Sequence, residues 1–410
     1  MVASILITGH TGFVGTNLVR ALQDDFVLYG LDIAADNALA GDVSAAAGAG
    51  HSTEEPAASG NGAGAKMPLL PSGNTFSWDQ LDSLPDADAI IHLAGMAHDT
   101  ANVSAPEEYF EVNLGLTKRI FDHFLQSKAT TFIFFSSVKA IADTVEGETL
   151  TEEHAPGPKT PYGQSKLAAE RYILEQTMER KNDGTTERWN DGMMERMSGG
   201  TREQGNDGTK DRGNEGTGER GNDEAKERGN EGARARGNEG RGERGGVEGK
   251  KVYILRPVMI HGPGNKGNLN LLYKVVQKGI PWPLGAFHNQ RSFLSINNLE
   301  YVIRQLIEKD ITPGIYQVAD DEPVSTNELI RLMAQSMNRK ARIWNLPPGI
   351  IRGMARTGDL LHLPLNSERL KKLTESYIVS NTKIKNALGI EKMPTSATDG
   401  IIQTLKSFAN

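Results

Sequence analysis

Short apolar runs alternate with longer amphipathic segments along most of the chain. Residues 4–7 are almost wholly apolar, as in a strand buried on both faces, and a helical segment over 16–23 follows. Residues 26–32, the stretch resuming at 75–78, 86–95, 131–137 and 251–255 repeat the strand signal, and 111–127 reads as helix. Strands separated by helices predict an α/β fold with a doubly wound parallel sheet, because parallel neighbours need a crossover connection. Farther on, helix signals dominate over 269–278, 298–309, 325–338 and 367–373, with the strand-like 314–319 a candidate for the main sheet. These predict a smaller, mixed C-terminal domain. Residues 344–365 cluster Pro347, Pro348, Met354 and Pro364, a pattern that more often packs in a core than offers an apolar surface to a partner.

The turn after the first strand carries the first chemistry. Thr8-Gly9-His10-Thr11-Gly12-Phe13-Val14-Gly15 spaces three glycines as G-x-x-G-x-x-G between a strand and a helix. Gly9 permits the tight turn, Gly12 lets backbone amides approach a pyrophosphate at the helix N-terminus, and Gly15 allows close packing of helix and strand. The second strand ends in Asp32, where a carboxylate accepts hydrogen bonds from a ribose diol and repels a 2′-phosphate. The fold is therefore read as Rossmann-type, with NAD favoured over NADP.

Tyr162 and Lys166 stand at i and i+4 after the turn at Pro161, on one face of a helix's first turns. An ammonium fixed beside a phenol favours phenolate, and a positioned phenolate removes a proton from an alcohol. Ser137 ends the strand over 131–137 at the carboxyl edge of the sheet, where open α/β folds bind ligands. His92 reads as a core histidine, and neither it nor His98 has the partner spacing of a metal site. No metal is expected.

Of 410 residues, 38% are hydrophobic and 24% charged, enough to bury one large or two medium cores. The net charge of −7, from 45 basic and 52 acidic residues, gives no reason to expect nucleic acid as a partner. With no cysteine, disulfides, thiolate metal sites and cysteine nucleophiles are excluded. No apolar run approaches the ~20 residues of a membrane span, so no membrane partner is expected. The first seven residues lack a basic n-region and a cleavage site, and the expected compartment is the cytoplasm.

Two stretches stand apart from this pattern. Residues 34–73 are rich in Ala, Gly, Ser and Pro and read as a flexible insertion. Over 180–250, asparagines recur with a period of eight at 182, 190, 206, 214, 222, 230 and 238, Ser198 standing at the one missed step, with 15 basic and 16 acidic residues and few branched apolar ones. With nothing to bury, this octapeptide repeat reads as a tandemly expanded, disordered loop. Setting aside these 71 and 40 residues leaves 299 of the 410, a sensible size for a dinucleotide-binding domain and a smaller cap. The domains expected are 1–179 for dinucleotide binding, 180–250 as the repeat insertion, 251–262 as the return strand, and 263–410 mainly for substrate.

Together, Gly9/Gly12/Gly15, Asp32, Leu93-Ala94-Gly95, Ser137 and Tyr162-x-x-x-Lys166 resemble the extended short-chain dehydrogenase/reductase family, in its nucleotide-sugar epimerase/dehydratase branch. Leu255-Arg256-Pro257-Val258-Met259-Ile260-His261-Gly262-Pro263-Gly264 is similar to the family's R-P-x-x-x-Y-G-P-G stretch, with His261 where tyrosine is usual. Arg291-Ser292-Phe293-Leu294-Ser295-Ile296-Asn297-Asn298-Leu299 resembles R-D-Y-I-H-V-x-D-L, with Asn298 in place of the aspartate. The resemblance implies Ser137, Tyr162 and Lys166 as catalytic residues. It implies a cofactor set of Gly9, Gly12, Phe13, Val14, Gly15, Asp32, Leu93, Ala94, Gly95, Asn113, Tyr162, Lys166 and Pro257, and a substrate set of Ser137, Lys139, Asn268 and Arg291. It also implies a nucleotide-sugar substrate, UDP-linked, and a homodimer.

The related 4,6-dehydratases follow the catalytic Ser/Thr with an Asp-Glu pair; here Val138-Lys139 follows Ser137, which speaks against dehydration. Ser136-Ser137-Val138-Lys139, Gly264-Asn265-Lys266-Gly267-Asn268 and Pro283-Leu284-Gly285-Ala286 resemble the UDP-glucose 4-epimerase-like bacterial subgroup, which includes 4-keto-reductases of 2-acetamido-2,6-dideoxy sugars. A C4 epimerase is therefore the leading expectation and a 4-keto-reductase the alternative. A non-catalytic NAD-binding sensor is a third reading, one that would not need the hydroxyl, phenol and amine together.

Overall fold

The computed structural model describes residues 3–33, 70–96, 105–145, 149–179, 249–265, 267–361 and 367–408. His98, the repeat over 180–248 and most of the 34–73 stretch lie outside them.

The apolar runs become β1 (Ser4–Thr8), β2 (Val27–Asp32), β3 (Thr75–Ser77), β4 (Ala89–His92), β5 (Thr131–Phe135) and β6 (Lys251–Pro257). With β9 (Gly314–Val318) they form a seven-stranded sheet in the order β3-β2-β1-β4-β5-β6-β9, every pair parallel. Strand order reverses at β1, so a crevice opens between the carboxyl ends of β1 and β4, the position where such sheets bind ligands.

Alternate side chains of each strand feed two apolar layers. Ile5, Ile7, Tyr253 and Leu255 pack with Leu18 and Leu22 of α1 (Phe13–Leu22) and with Leu299 and Val302 of α6 (Ile296–Glu308). Leu6, Ile90, Phe132 and Phe134 pack with Phe121 and Phe124 of α3 (Leu116–Gln126) and Ile173 of α4 (Pro161–Glu179). A third cluster fills the C-terminal lobe. It joins Tyr273 of α5 (Asn268–Gln277), Phe293 of β8 (Phe293–Ser295), Met333 of α7 (Thr326–Ser336), Ile351 of α8 (Pro348–Leu361) and Ile401 of α11 (Ala397–Phe408).

Several expected boundaries move. Leu70, inside the stretch read as an insertion, is buried against the first layer. The helix expected over 111–127 begins at α2 (Pro106–Phe110), with proline at its first turn, and passes through a wide π-type turn, Glu111–Gly115, that carries Asn113 into the interior. The return strand ends at Pro257; β7 (Met259–His261) leaves the main sheet and pairs with β8. The 263–410 region is not all lobe. β9 completes the main sheet, while α6 and α10 (Thr382–Leu388) supply Leu299 and Ile384 to its first layer. α8, α10 and α11 escaped the sequence reading. In α11 the cause is Gly400, which reads as a helix breaker but lies against Ser295, where a Cβ would come within 2.6 Å of the serine's Cβ.

His92 is the core histidine expected. Wholly buried, it shares hydrogen bonds with Thr8 Oγ1 at 2.7 Å and Thr117 Oγ1 at 2.9 Å. Burial, reinforced by the charge of Lys166, lowers its pKa to about 3. The unfolded histidine therefore takes up a proton below pH 6.5 that the folded one refuses until about pH 3, and stability falls as pH drops through that window. We expect His92 alone to cost about 2 kcal/mol between pH 7 and pH 5. Urea unfolding of the wild type and His92→Gln at both pH values checks this, since the variant should lose that part of the slope.

Candidate active site

Four elements bring their ends together at the carboxyl edge of the sheet. The glycine turn after β1 forms because Gly9 adopts φ +71°, and a Cβ there would stand 2.8 Å from the Ala94 backbone nitrogen. Here the turn after β1 meets the chain leaving β4. Gly15 packs on the turn itself rather than on the strand, since its Cβ would meet the Gly9 carbonyl. Gly12 precedes α1 and has no capping side-chain hydrogen bond, leaving the first-turn amides of Phe13, Val14 and Gly15 uncapped by any side chain at a helix N-terminus. Asp32 ends β2 and steadies the turn. Its Oδ2 accepts from Thr11 Oγ1 at 2.5 Å and from the Thr11 amide at 3.2 Å. His10, which the sequence reading passed over, lies buried beneath it with Nδ1 3.9 Å from Asp32 Oδ2. Burial lowers its pKa, opposed by Asp32 and the Leu31 carbonyl.

Ser137 follows β5 and caps a short turn, its Oγ accepting from the Lys139 amide at 3.2 Å. Tyr162 is the second residue of α4, half-buried, with its ring edge-on to Tyr109 of α2. Its hydroxyl and that of Ser137 are hydrogen-bonded. Gly163 makes this possible. A Cβ there would lie 2.4 Å from the Lys139 carbonyl, so only glycine lets α4 approach the Ser137 turn so closely.

Lys166 is buried one turn farther, its Nζ donating to the Phe135 carbonyl at 3.0 Å. Burial lowers its pKa to about 8, against the pull of Glu170. Asn113 lies beside it: Nδ2 donates to Ser165 Oγ at 3.0 Å and the Met96 carbonyl at 3.2 Å, while Oδ1 has no hydrogen-bond partner among the described residues. A Cβ on Gly95 would come within 2.7 Å of that oxygen and 3.1 Å of Lys166 Nζ. Leu93, Ala94 and Gly95 thus form the floor between the glycine turn and Lys166, and Pro257 is buried at the end of β6.

Burial raises the Tyr162 pKa, the Ser137 hydrogen bond lowers it and Tyr109 adds to the rise; Lys166 is turned toward Phe135. Lys139 is half-buried, its Nζ donating to the Asp143 carbonyl at 2.6 Å and standing 4.4 Å from the centre of the Tyr377 ring. Arg291 belongs to the same neighbourhood. Its backbone bridges to Tyr377 and its Nε donates to the Glu375 carbonyl at 3.2 Å. Asn268 opens α5 in the lobe.

The departures at His261 and Asn298 meet in one buried joint. Asn298 Nδ2 donates to Asp320 Oδ1 and to the Thr395 carbonyl, both at 2.7 Å, and His261 Nε2 lies 3.7 Å from Asp320 Oδ2. Asp320 carries the carboxylate at this joint, so the replacement at 298 is structural.

Residues 5–188 match the NAD dependent epimerase/dehydratase family. That match spans a little under half of the chain and marks residues 5–188 as a segment of that family. Among relatives, a UDP-glucose 4-epimerase of Vibrio cholerae is 26% identical, covering 100% of this chain and 96% of the relative. The N-acetyl-alpha-D-glucosaminyl-diphospho-ditrans,octacis-undecaprenol 4-epimerase of Escherichia coli O157:H7 is 22% identical, covering 98% and 94%. The crystal structure of the Thermus thermophilus UDP-glucose 4-epimerase complexed with NAD superposes with a TM-score of 0.59 at 18% identity, over 99% of each chain, a likeness of fold. Among the described residues, no helix is long and apolar enough to cross a membrane and no group of acidic or histidine side chains could hold a metal.

One carboxylate holds the site's elements together. Glu170, two turns after Tyr162 on α4, is wholly buried and accepts from Arg256 Nε at 2.9 Å, from Arg256 Nη2 at 2.5 Å and from Ser136 Oγ. Glu170→Ala would leave the Arg256 charge buried without compensation. We expect it to cost about 3–5 kcal/mol in urea unfolding at pH 7; a loss of under about 1 kcal/mol would remove the pair from this account.

Proposed function

We propose that the protein is an NAD-dependent nucleotide-sugar epimerase that inverts C4 of a UDP-hexose through a 4-keto intermediate. The observation that carries this reading is the Ser137–Tyr162 hydrogen bond, set one helical turn from buried Lys166 and facing the crevice beside the uncapped start of α1. Both relatives named above are 4-epimerases of a sugar carried on a diphosphate, one on UDP and the other on a polyprenol. UDP is our choice between the two carriers.

The residues present suit NAD. Phe13, Val14 and Gly15 would give backbone amides to the pyrophosphate, and Asp32 would exchange Thr11 for a ribose diol. Lys166, still charged at pH 7, and the unpartnered Asn113 Oδ1 would take the second ribose and the edge of the nicotinamide. Bound NAD supplies a hydride acceptor that is restored within each cycle. Ser137 orients the C4 oxygen, while Tyr162 withdraws the hydroxyl proton and later returns it. Burial keeps the phenol protonated at rest, which suits the return step; the Ser137 hydrogen bond eases the withdrawal. After Ser137 the turn offers Val138 and Lys139, so no acid-base pair for dehydration stands there.

The 4-keto-reductase remains the second reading, since the same trio serves hydride delivery to a keto sugar. Purified protein incubated with UDP-glucose, UDP-N-acetylglucosamine and a UDP-4-keto-6-deoxy sugar, with and without NADH or NADPH, separates the two. Interconversion at C4 without added reductant is the expected result, and reductant consumed only with the keto sugar would overturn it. On the best substrate, Tyr162→Phe should lower turnover about a hundredfold or more. A variant within about threefold of wild type would displace Tyr162 from the proton-transfer role, because general acid–base catalysis is worth far more than that.

A further inference from the structure

The lobe carries one face that the catalytic reading does not use. Leu271 on α5, Ile280 after it, Trp344, and Ile350 and Met354 on α8 are between 50% and 61% exposed. The segments bearing them are joined: the Trp282 amide donates to the Arg342 carbonyl and the Trp344 amide to the Trp282 carbonyl, each at 2.8 Å. On α8, Ile351 and Ala355 are buried in the lobe, so Ile350 and Met354 form a separate stripe one turn apart. Arg352 and Arg356 form a second stripe on the opposite flank.

Charge here is mostly of one sign; Asp359, one turn after Arg356 on the same flank of α8, is the acidic exception. Residues 268–285 and 339–357 contain no aspartate or glutamate, in a chain whose net charge is −7. They contain Lys274, Lys278, Arg339, Lys340, Arg342, Arg352 and Arg356, all exposed. Arg339 and Arg342 reach back to the carbonyls of Gln277 and Gly279, which sets their charges beside α5.

We propose that this face docks the protein on the surface of an anionic lipid bilayer. A protruding aliphatic and tryptophan stripe flanked by cations matches a bilayer interface, whose acyl boundary takes the apolar side chains while its headgroups take the arginines. A nucleic acid would use the cations but not Ile350, Met354 and Leu271. A second copy of the chain on this face would set seven cations against seven. The contact is peripheral and needs no spanning helix. It goes beyond the expectation of no membrane partner, and of the two readings of the 344–365 cluster it takes the partner surface, on the exposure of Trp344, Ile350 and Met354. The proposal does not depend on which sugar the site takes.

The test uses the full chain in flotation with phosphatidylcholine vesicles and with vesicles containing phosphatidylglycerol. Binding to the anionic vesicles is expected at roughly 0.1 M salt and should weaken sharply at roughly 1 M. Arg352→Glu/Arg356→Glu and, separately, Ile350→Ser/Met354→Ser should each reduce the bound fraction about tenfold, with melting temperature and NAD affinity unchanged. Tryptophan emission should shift to the blue on the anionic vesicles, and Trp344→Phe should abolish the shift. The proposal is overturned if the wild type does not float, if neither double variant weakens flotation, or if the double variants instead dissolve a self-associated species seen in sedimentation.

Discussion

The buried Glu170 carboxylate is the contact on which the site's geometry depends. It draws the start of the Ser136-Ser137 turn, the end of β6 at Arg256 and the body of α4 onto one acceptor group. Tyr162 and Lys166 lie two turns and one turn before it on the same helix, so fixing Glu170 fixes both against Ser137. A charged pair this deep forfeits the hydration of both ions, and its net worth to stability is small or negative compared with apolar packing. Its value here is positional. A helix held only by Leu167, Ala169, Ile173 and Leu174 could rotate or slide by a fraction of a turn, whereas a two-pronged arginine contact admits one register.

Close approach is the second constraint, and glycine supplies it. Gly9 lets β1 turn beneath Ala94, and Gly163 lets the first turn of α4 lie on the Lys139 carbonyl. Between these two approaches sit Gly95, Asn113 and Lys166, with Asn113 Oδ1 and Lys166 Nζ both close to Gly95. Desolvation there works in opposite directions on the two titrating partners, raising the phenol and lowering the amine. The pair is therefore poised by its surroundings rather than by mutual attraction, and Ser137 is the neighbour that acts on Tyr162 directly.

Much of this was legible in the residues. The glycine turn, Asp32, the buried strands and the Tyr162-x-x-x-Lys166 spacing are local patterns, and local patterns survive folding. What escaped depends on contacts between distant segments. The π-type turn that buries Asn113 has no composition of its own, and Gly163 gains its role only when the 137–140 turn lies against it. Gly400 hid α11 because its purpose is a contact with Ser295 more than a hundred residues away. Nothing in the sequence places Tyr377 and Asp143 beside Lys139, so the contacts that hold its side chain were not legible. The joint at Asp320 was equally invisible, for it makes the replacements at His261 and Asn298 neighbours.

The central claim is that Ser137, Tyr162 and Lys166 support a hydride transfer at C4 that is reversed within the same binding event. The most direct measurement follows deuterium placed at C4 of UDP-glucose through turnover in ordinary water. The account predicts that the C4-inverted product keeps the deuterium at C4, with none in the solvent and none in released cofactor. Deuterium lost to water would mean that a proton, not a hydride, leaves C4; deuterium recovered in free reduced cofactor would mean that the protein is a dehydrogenase or reductase. Either result would contradict the account.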